Sequence, residues 1–194
     1  IIIGSGVVGL STAISLKEKQ PALSIAILER GILPTGASTK NAGFACIGSL
    51  TEILDDLKSM PQTEVLELVQ LRKNGLARLR KRLGDEQMFY HANGSHELIF
   101  EKDIEALAQL EAVNEMLFPL LNDNTFELAN TKIESFGFKG VSALIENRLE
   151  GEIDSGKTMR ALMDKALSLG IHLLTGCFVE TFEEENNGVA VFVK

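Results

Sequence analysis

The chain opens on an unbroken apolar run, Ile1-Ile2-Ile3, and turns at once into Gly4-Ser5-Gly6-Val7-Val8-Gly9. Such a run reads as a buried strand, and the glycines as a tight turn leaving it. Leu10, Ala13, Ile14 and Lys17 then share one stripe at helical spacing, the lysine with a stem able to pack. That helix is expected to end near Gln20-Pro21, with a second strand over Leu23 to Leu28. Gly31 to Ser49 is polar and glycine-bearing and reads as a long loop.

From Leu50 the periodicity changes. Thr51 to Ser59 and Thr63 to Leu83 read as helices, the second with Val65, Val69, Leu76, Leu79 and Leu83 at steps of three and four. Arg72 falls on that stripe, which implies a packed stem and a paired head. Gly84 stands where a helix cap is expected. Met88 to Ala92 and Ser95 to Phe100 flank Asn93-Gly94, a strong hairpin signal. Ile104, Leu107, Leu110, Val113 and Leu117 mark a helix expected to stop at Pro119, and Val141 to Ile145 a strand. Ser155 to Leu169 reads as a helix capped by Asp154 or Ser155, with Met159, Leu162, Met163 and Ala166 inward. Strands follow at Ile171 to Leu174, Cys177 to Glu183 and Gly188 to Val193, the last two joined through Asn186-Asn187.

The fold class these elements predict is α/β. A Rossmann-like nucleotide domain is expected over residues 1–50 and again over 151–194, split in sequence by an inserted α+β segment over 51–150. The chain has 194 residues, of which 45% are hydrophobic and 24% charged, as in an ordinary globular protein. A net charge of −8 argues against a nucleic-acid partner, yet leaves room for an anionic cofactor held by backbone groups. Two cysteines, Cys46 and Cys177, and three scattered histidines offer no metal-ligand spacing. With no transmembrane run and no signal-peptide pattern, a cytoplasmic setting is the simplest expectation. The clipped opening strand and the final strand that ends the chain read as a fragment covering roughly the N-terminal half of a longer protein.

The glycines carry the chemistry. Gly4 permits the tight turn, Gly6 lets backbone approach a pyrophosphate, and Gly9 lets helix and strand pack closely. The N–H groups of Val7 and Val8 open the helix toward the phosphates. Glu29 closes the next strand, 20 residues after Gly9, where a carboxylate can accept both hydroxyls of an adenosine ribose and would repel a 2′-phosphate. These residues point to a dinucleotide and do not choose between FAD and NAD.

The segment Glu29-Arg30-Gly31, continued by Thr35-Gly36-Ala37-Ser38-Thr39-Lys40-Asn41-Ala42-Gly43-Phe44, resembles the D-amino acid oxidase, glycine oxidase and sarcosine oxidase superfamily. Leu149-Glu150-Gly151 to Gly156-Lys157, with the helix and strands beyond, is similar to the place where that family's chain returns to its FAD domain. The resemblance implies FAD as cofactor. It puts Arg30 near the adenosine, Ser38 and Thr39 near the pyrophosphate or ribityl chain, Lys40, Asn41, Ala42 and Gly43 at the flavin edge, and the Val179 backbone at the adenine. It further implies oxidation of the C–N bond of a small amine or amino acid, with oxygen or another electron acceptor as second partner. The groups that grip substrate would lie in the half this chain lacks, so no catalytic residue is named and the isolated segment is expected not to turn over. An NAD-linked dehydrogenase, a flavoenzyme oxidising the C–O bond of a 2-hydroxy acid or polyol phosphate, and a non-catalytic FAD-held scaffold are the alternatives.

Gly151-Glu152-Ile153-Asp154-Ser155-Gly156-Lys157-Thr158 matches the P-loop pattern letter for letter. It is not read as one, because Glu152 and Asp154 would set carboxylates in the phosphate cradle. His91, His96 and Tyr90 are candidate cavity residues, for which solvated or packing positions are the favoured reading. Cys46 reads as a small hydrophobe rather than a flavin attachment point, and Arg78, Arg80, Lys81 and Arg82 as a solvated helix face.

Overall fold

The computed structural model describes residues 1–194. In chain order its elements are β1 (Ile2–Ile3), α1 (Val7–Lys19), β2 (Ala26–Glu29), β3 (Phe44–Ala45), α2 (Leu50–Ser59), α3 (Gln62–Leu83), α4 (Asp85–Met88), β4 (Ser95–Ile99), α5 (Leu110–Leu121), β5 (Phe126–Leu128), α6 (Lys132–Ser135), β6 (Ala143–Asn147), β7 (Gly151–Glu152), α7 (Ser155–Ser168), β8 (His172–Thr175), β9 (Val179–Glu185) and β10 (Gly188–Val193). Short 3-10 segments lie at Ala37–Thr39 and Glu101–Gln109. Two compact units emerge, one from residues 1–43, 83–89 and 154–194, the other from 44–82 and 90–153. Residues 44–50 and 151–153, expected with the ends of the chain, therefore belong to the second unit. The reason is the antiparallel pairing of β3 with β7.

The first unit is built on a parallel sheet in the order β1-β2-β8. Helices α1 and α7 pack on each other and on these strands. Leu10, Ala13 and Ile14 of α1 and Met159, Leu162 and Ala166 of α7 are buried, together with Ile25, Ile27 and Ile171 from the sheet side. Lys17 is half-buried and donates from Nζ to the Leu23 carbonyl at 2.7 Å. The first strand is less buried than its apolar run predicts: Ile1 and Ile3 are 72% and 58% exposed. Successive strand side chains alternate between faces, and only Ile2 is turned toward α1. Asp154 caps α7 by accepting the Lys157 N–H at 2.8 Å. Strands β9 and β10 form an antiparallel ribbon through Asn186 and Asn187.

The second unit sets the antiparallel sheet β4-β6-β5 against helices. Its core joins Leu50 and Ile53 of α2, Val65 and Val69 of α3, Val113 and Leu117 of α5, and Ile99, Phe126 and Ile145 of the sheet. Asn114, buried on α5, both donates to the Phe126 carbonyl and accepts the Phe126 N–H, each at 2.9 Å, and so stitches helix to strand. Arg72 behaves as its position on the apolar stripe predicts: its guanidinium reaches Glu52 at 2.8 Å and the Ile47 carbonyl at 3.1 Å.

Two expectations fail here. Asn93-Gly94 does not close a hairpin: β4 pairs with β6, while His91 exchanges backbone hydrogen bonds with Glu152 at 3.0 Å. Gly94 does take the left-handed conformation, φ 74°, but its N–H is spent on the Glu150 carbonyl. The turn chemistry is right and the partner strand is chosen by tertiary pairing. Nor does Pro119 stop α5, which runs on to a left-handed Asn122 with φ 56°. The carbonyl that Pro119 leaves without a donor belongs to Glu115, and both residues lie on the exposed side of the helix, open to solvent.

Candidate functional site

The first unit carries the glycine turn between β1 and α1. Gly4 adopts φ 89° and anchors the turn by donating its N–H to the Leu28 carbonyl at 2.8 Å. At Gly9 a Cβ would stand 2.0 Å from the Gly4 carbonyl oxygen, so only glycine lets α1 lie this close to the strand. At Gly6 a Cβ would meet the Ser38 hydroxyl at 3.0 Å. The missing side chain lets the 3-10 segment close onto the helix start and leaves the backbone there bare, as the approach of a phosphate requires.

Val7 and Val8 begin α1 with side chains 37% and 77% exposed. The Val7 N–H donates to Ser38 Oγ at 2.9 Å. Because that oxygen accepts, its own proton is left to point onward. Ser38 thus hands on the helix's donor, one hydroxyl further out. Thr39 does otherwise: its hydroxyl is turned onto the Gly36 and Pro34 carbonyls at 3.1 and 3.3 Å, where it shapes the loop rather than facing a ligand.

Beyond it, Lys40, Asn41 and Ala42 are exposed, while Gly43 is buried with φ 79°. Asn41 organises this stretch. Its Nδ2 donates to the Ser38 carbonyl at 2.9 Å, and its Oδ1 accepts the Gly43 N–H at 2.9 Å and the Ser155 hydroxyl at 2.6 Å. The helix α7 that follows the insertion therefore holds the loop that precedes it.

Glu29 sits at the end of β2, 7% exposed. Its Oε2 accepts the Ser5 N–H at 2.9 Å and the Ser5 hydroxyl at 2.7 Å, and its Oε1 accepts the Gly31 N–H at 3.0 Å. Burial pushes the carboxyl pKa up, but the Gly31 and Ser5 donors and the charge of Arg30 outweigh it, and the net shift is downward. Glu29 is thus an ionised acceptor at the mouth of the turn. Arg30 is exposed beside it. The Cys177 N–H donates to the Glu29 carbonyl at 2.9 Å, which brings the approach to β9, and with it Val179, alongside the end of β2.

The sequence alone does not show Ser5 or Ser155 as partners of Glu29 and Asn41. Nor does it show the two carboxylates that organise the second unit. Glu150, 3% exposed, accepts the N–H groups of Ile47 and Gly48 at 2.6 and 3.1 Å and the Ser95 hydroxyl at 2.5 Å. Glu97 accepts the Leu50 and Thr51 N–H groups at 2.9 and 3.3 Å and so caps α2. The remaining candidates fall to structural roles. His96 packs edge-on against Phe136 with ring centres 5.2 Å apart, and Tyr90 is covered by the Arg80 guanidinium at 4.1 Å. Cys46 is exposed rather than the small buried hydrophobe expected; its thiol pKa is raised by partial desolvation and by the charges of Glu150 and Glu52, so it stays protonated at neutral pH. The P-loop lookalike is no cradle: Gly151 and Glu152 are strand β7, Asp154 caps α7, and the Lys157 ammonium lies 3.7 Å over the Phe89 ring.

A strand, glycine turn and helix with a carboxylate closing the next strand define a dinucleotide-binding fold. The family model described as FAD dependent oxidoreductase matches residues 1–194, and the chain belongs to that family. No curated protein matches the sequence. Among solved structures, glycine oxidase from Geobacillus kaustophilus superposes with a TM-score of 0.72 at 20% identity, over 99% of this chain and 50% of that one. L-amino acid deaminase from Proteus myxofaciens in complex with anthranilate gives 0.72 at 18% identity, over 100% and 41%. L-alpha-glycerophosphate oxidase from Mycoplasma pneumoniae with FAD bound gives 0.69 at 20% identity, over 99% and 48%. At these identities the likeness is one of fold, and the chain spans about half the length of those proteins. No helix is long and apolar enough to cross a membrane.

Proposed function

We propose that this chain forms the FAD-holding part of an enzyme that oxidises the C–N bond of a small amine or amino acid. The observation that carries the FAD site is the glycine turn that opens α1, with Ser38 against its Val7 N–H and an ionised Glu29, at the end of the next strand, tied to Ser5 of the same turn. In this reading Gly4, Gly6 and Gly9 let the pyrophosphate approach, and the Val8 N–H and the Ser38 hydroxyl donate to it, Val7 acting through Ser38. Glu29 takes the ribose, Arg30 and the Val179 backbone border the adenosine, Thr39 shapes the loop near the pyrophosphate or ribityl chain, and the stretch from Lys40 to Gly43 shapes the flavin edge. When bound, FAD supplies the redox chemistry by accepting a hydride from the carbon that bears the amine. The chain's own contribution is to bind and orient: Asn41 fixes the loop on both sides, and buried Gly43 lets the backbone come close.

The C–N assignment draws on glycine oxidase and L-amino acid deaminase among the structural neighbours. A C–O substrate is the second reading, favoured by the glycerophosphate oxidase neighbour. Anaerobic addition of amino acids, amines, 2-hydroxy acids and glycerol phosphate to the FAD-loaded protein separates them. Bleaching of the flavin bands by an amine or amino acid is expected; bleaching only by a hydroxyl compound would transfer the assignment to C–O oxidation. These 194 residues, which span about half the length of those proteins, are expected to show no steady amine-dependent oxygen uptake, and such uptake would refute that part of the reading.

A further inference from the structure

An ionised carboxylate offers about four acceptor positions, two on each oxygen. In Glu29 three of them are already taken within the chain. Oε2 receives both the N–H and the hydroxyl of Ser5, at 2.9 and 2.7 Å, and Oε1 receives the Gly31 N–H at 3.0 Å. One acceptor position remains, on Oε1. A ribose presents two neighbouring hydroxyls, and a carboxylate that engages both must offer an acceptor to each. Ser5 is fully buried, so its hydroxyl cannot swing out to meet a ligand in exchange for the bond it gives up. Glu29 is itself 7% exposed, so little of it is in reach of solvent.

We infer that Ser5 sets the sugar specificity of this site: its hydroxyl fills Glu29 Oε2, so that the carboxylate reads one ribose hydroxyl and tolerates loss of the other. The inference rests on the dinucleotide reading above and narrows it, because the expectation from sequence was that Glu29 engages both hydroxyls. Ser5 acts here through Glu29 and is a positioning residue. With alanine at position 5 only the Ser5-position and Gly31 N–H groups would hold the carboxylate. It could then turn about its terminal bond and offer an oxygen to each hydroxyl.

The test is competition with FAD by ADP, 2′-deoxy-ADP and 3′-deoxy-ADP on the FAD-free protein, read by flavin fluorescence and needing no turnover. One of the two deoxy compounds should compete within about twofold of ADP. The other should be weaker by about tenfold, the loss of one hydrogen bond to a charged acceptor. In Ser5→Ala both deoxy compounds should be weakened to a similar degree. Two deoxy compounds that are equally weakened in the unaltered protein would overturn the inference, since Glu29 would then read both hydroxyls. Two that match ADP would overturn it too, since Glu29 would read neither. A Ser5→Ala protein that keeps the one-sided pattern would remove Ser5 from the account. Failure of ADP itself to compete would instead bring down the dinucleotide reading, and the inference with it.

Discussion

Gly9→Ala puts a methyl group 2.0 Å from the Gly4 carbonyl oxygen, 3.2 Å from its carbon and 3.4 Å from Ile2 Cγ2. Carbon and carbonyl oxygen settle at about 3.3–3.6 Å, so helix α1 would have to withdraw from the turn by more than about 1 Å. The carbonyl cannot rotate aside cheaply, because the Ser5 N–H in the same peptide plane is tied to Glu29 Oε2 at 2.9 Å. Overpacking of this kind costs about 1–3 kcal/mol, and a rigid backbone partner places Gly9→Ala at the upper end. At about 2–4 °C per kcal/mol for a chain of this size, the Tm should fall by about 6–12 °C. Withdrawal also carries the Val7 N–H off Ser38, so FAD should bind at least about tenfold more weakly. Gly36→Ala is the matched control: its Cβ would meet nothing within 4 Å and its φ is −83°, so Tm should hold. Thermal melts and FAD titration of both variants read the comparison. Gly9→Ala melting within a degree of the unaltered protein and binding FAD equally would refute the close-approach argument.

Ser38→Ala removes the hydroxyl that relays the Val7 N–H. The dissociation constant for FAD should rise about tenfold, whereas Tm should barely move, because Val7 is exposed enough for water to take the N–H. The depressed pKa of Glu29 makes a signed statement about acid stability. Ionisation stabilises the fold fully above the unfolded-state value of about 4.3 and progressively less as pH falls through the lower folded-state value. Denaturant unfolding of the protein and of Glu29→Gln across this range checks it, the variant losing the part of the slope that Glu29 contributes. Asn114→Ala should cost about 2–4 kcal/mol, since it strands the buried N–H and carbonyl of Phe126. A change in the free energy of urea unfolding of less than about 0.5 kcal/mol would mean water replaces the amide.

The glycine turn was legible in the sequence because its chemistry is local. Gly4, Gly6 and Gly9 are forced by φ, by Ser38 and by a carbonyl that lies within the same turn or one loop away. The α1 stripe, the Arg72 pairing and the Asp154 cap were legible for the same reason, each following from spacing along one helix or from the residue before it. What escaped depends on distant partners. Glu150 is an unremarkable acid until residues 47, 48 and 95 are brought to it, and nothing in its neighbours forecasts that. Ser155 finds Asn41 across 114 residues. Asn93-Gly94 shows the converse. A true local signal was overruled because β6 offered Ser95–Ile99 a better-covered partner than the segment before the turn. Pro119 was overruled by exposure, since a lost helix bond costs little where its carbonyl meets water.

The central claim is that the first unit holds FAD. It is tested most directly by the absorbance spectrum of the protein after equilibration with FAD and removal of the free flavin. Flavin bands that travel with the protein in one-to-one amount and are displaced by ADP are the expected result. A colourless protein that takes up NAD in place of FAD would contradict it.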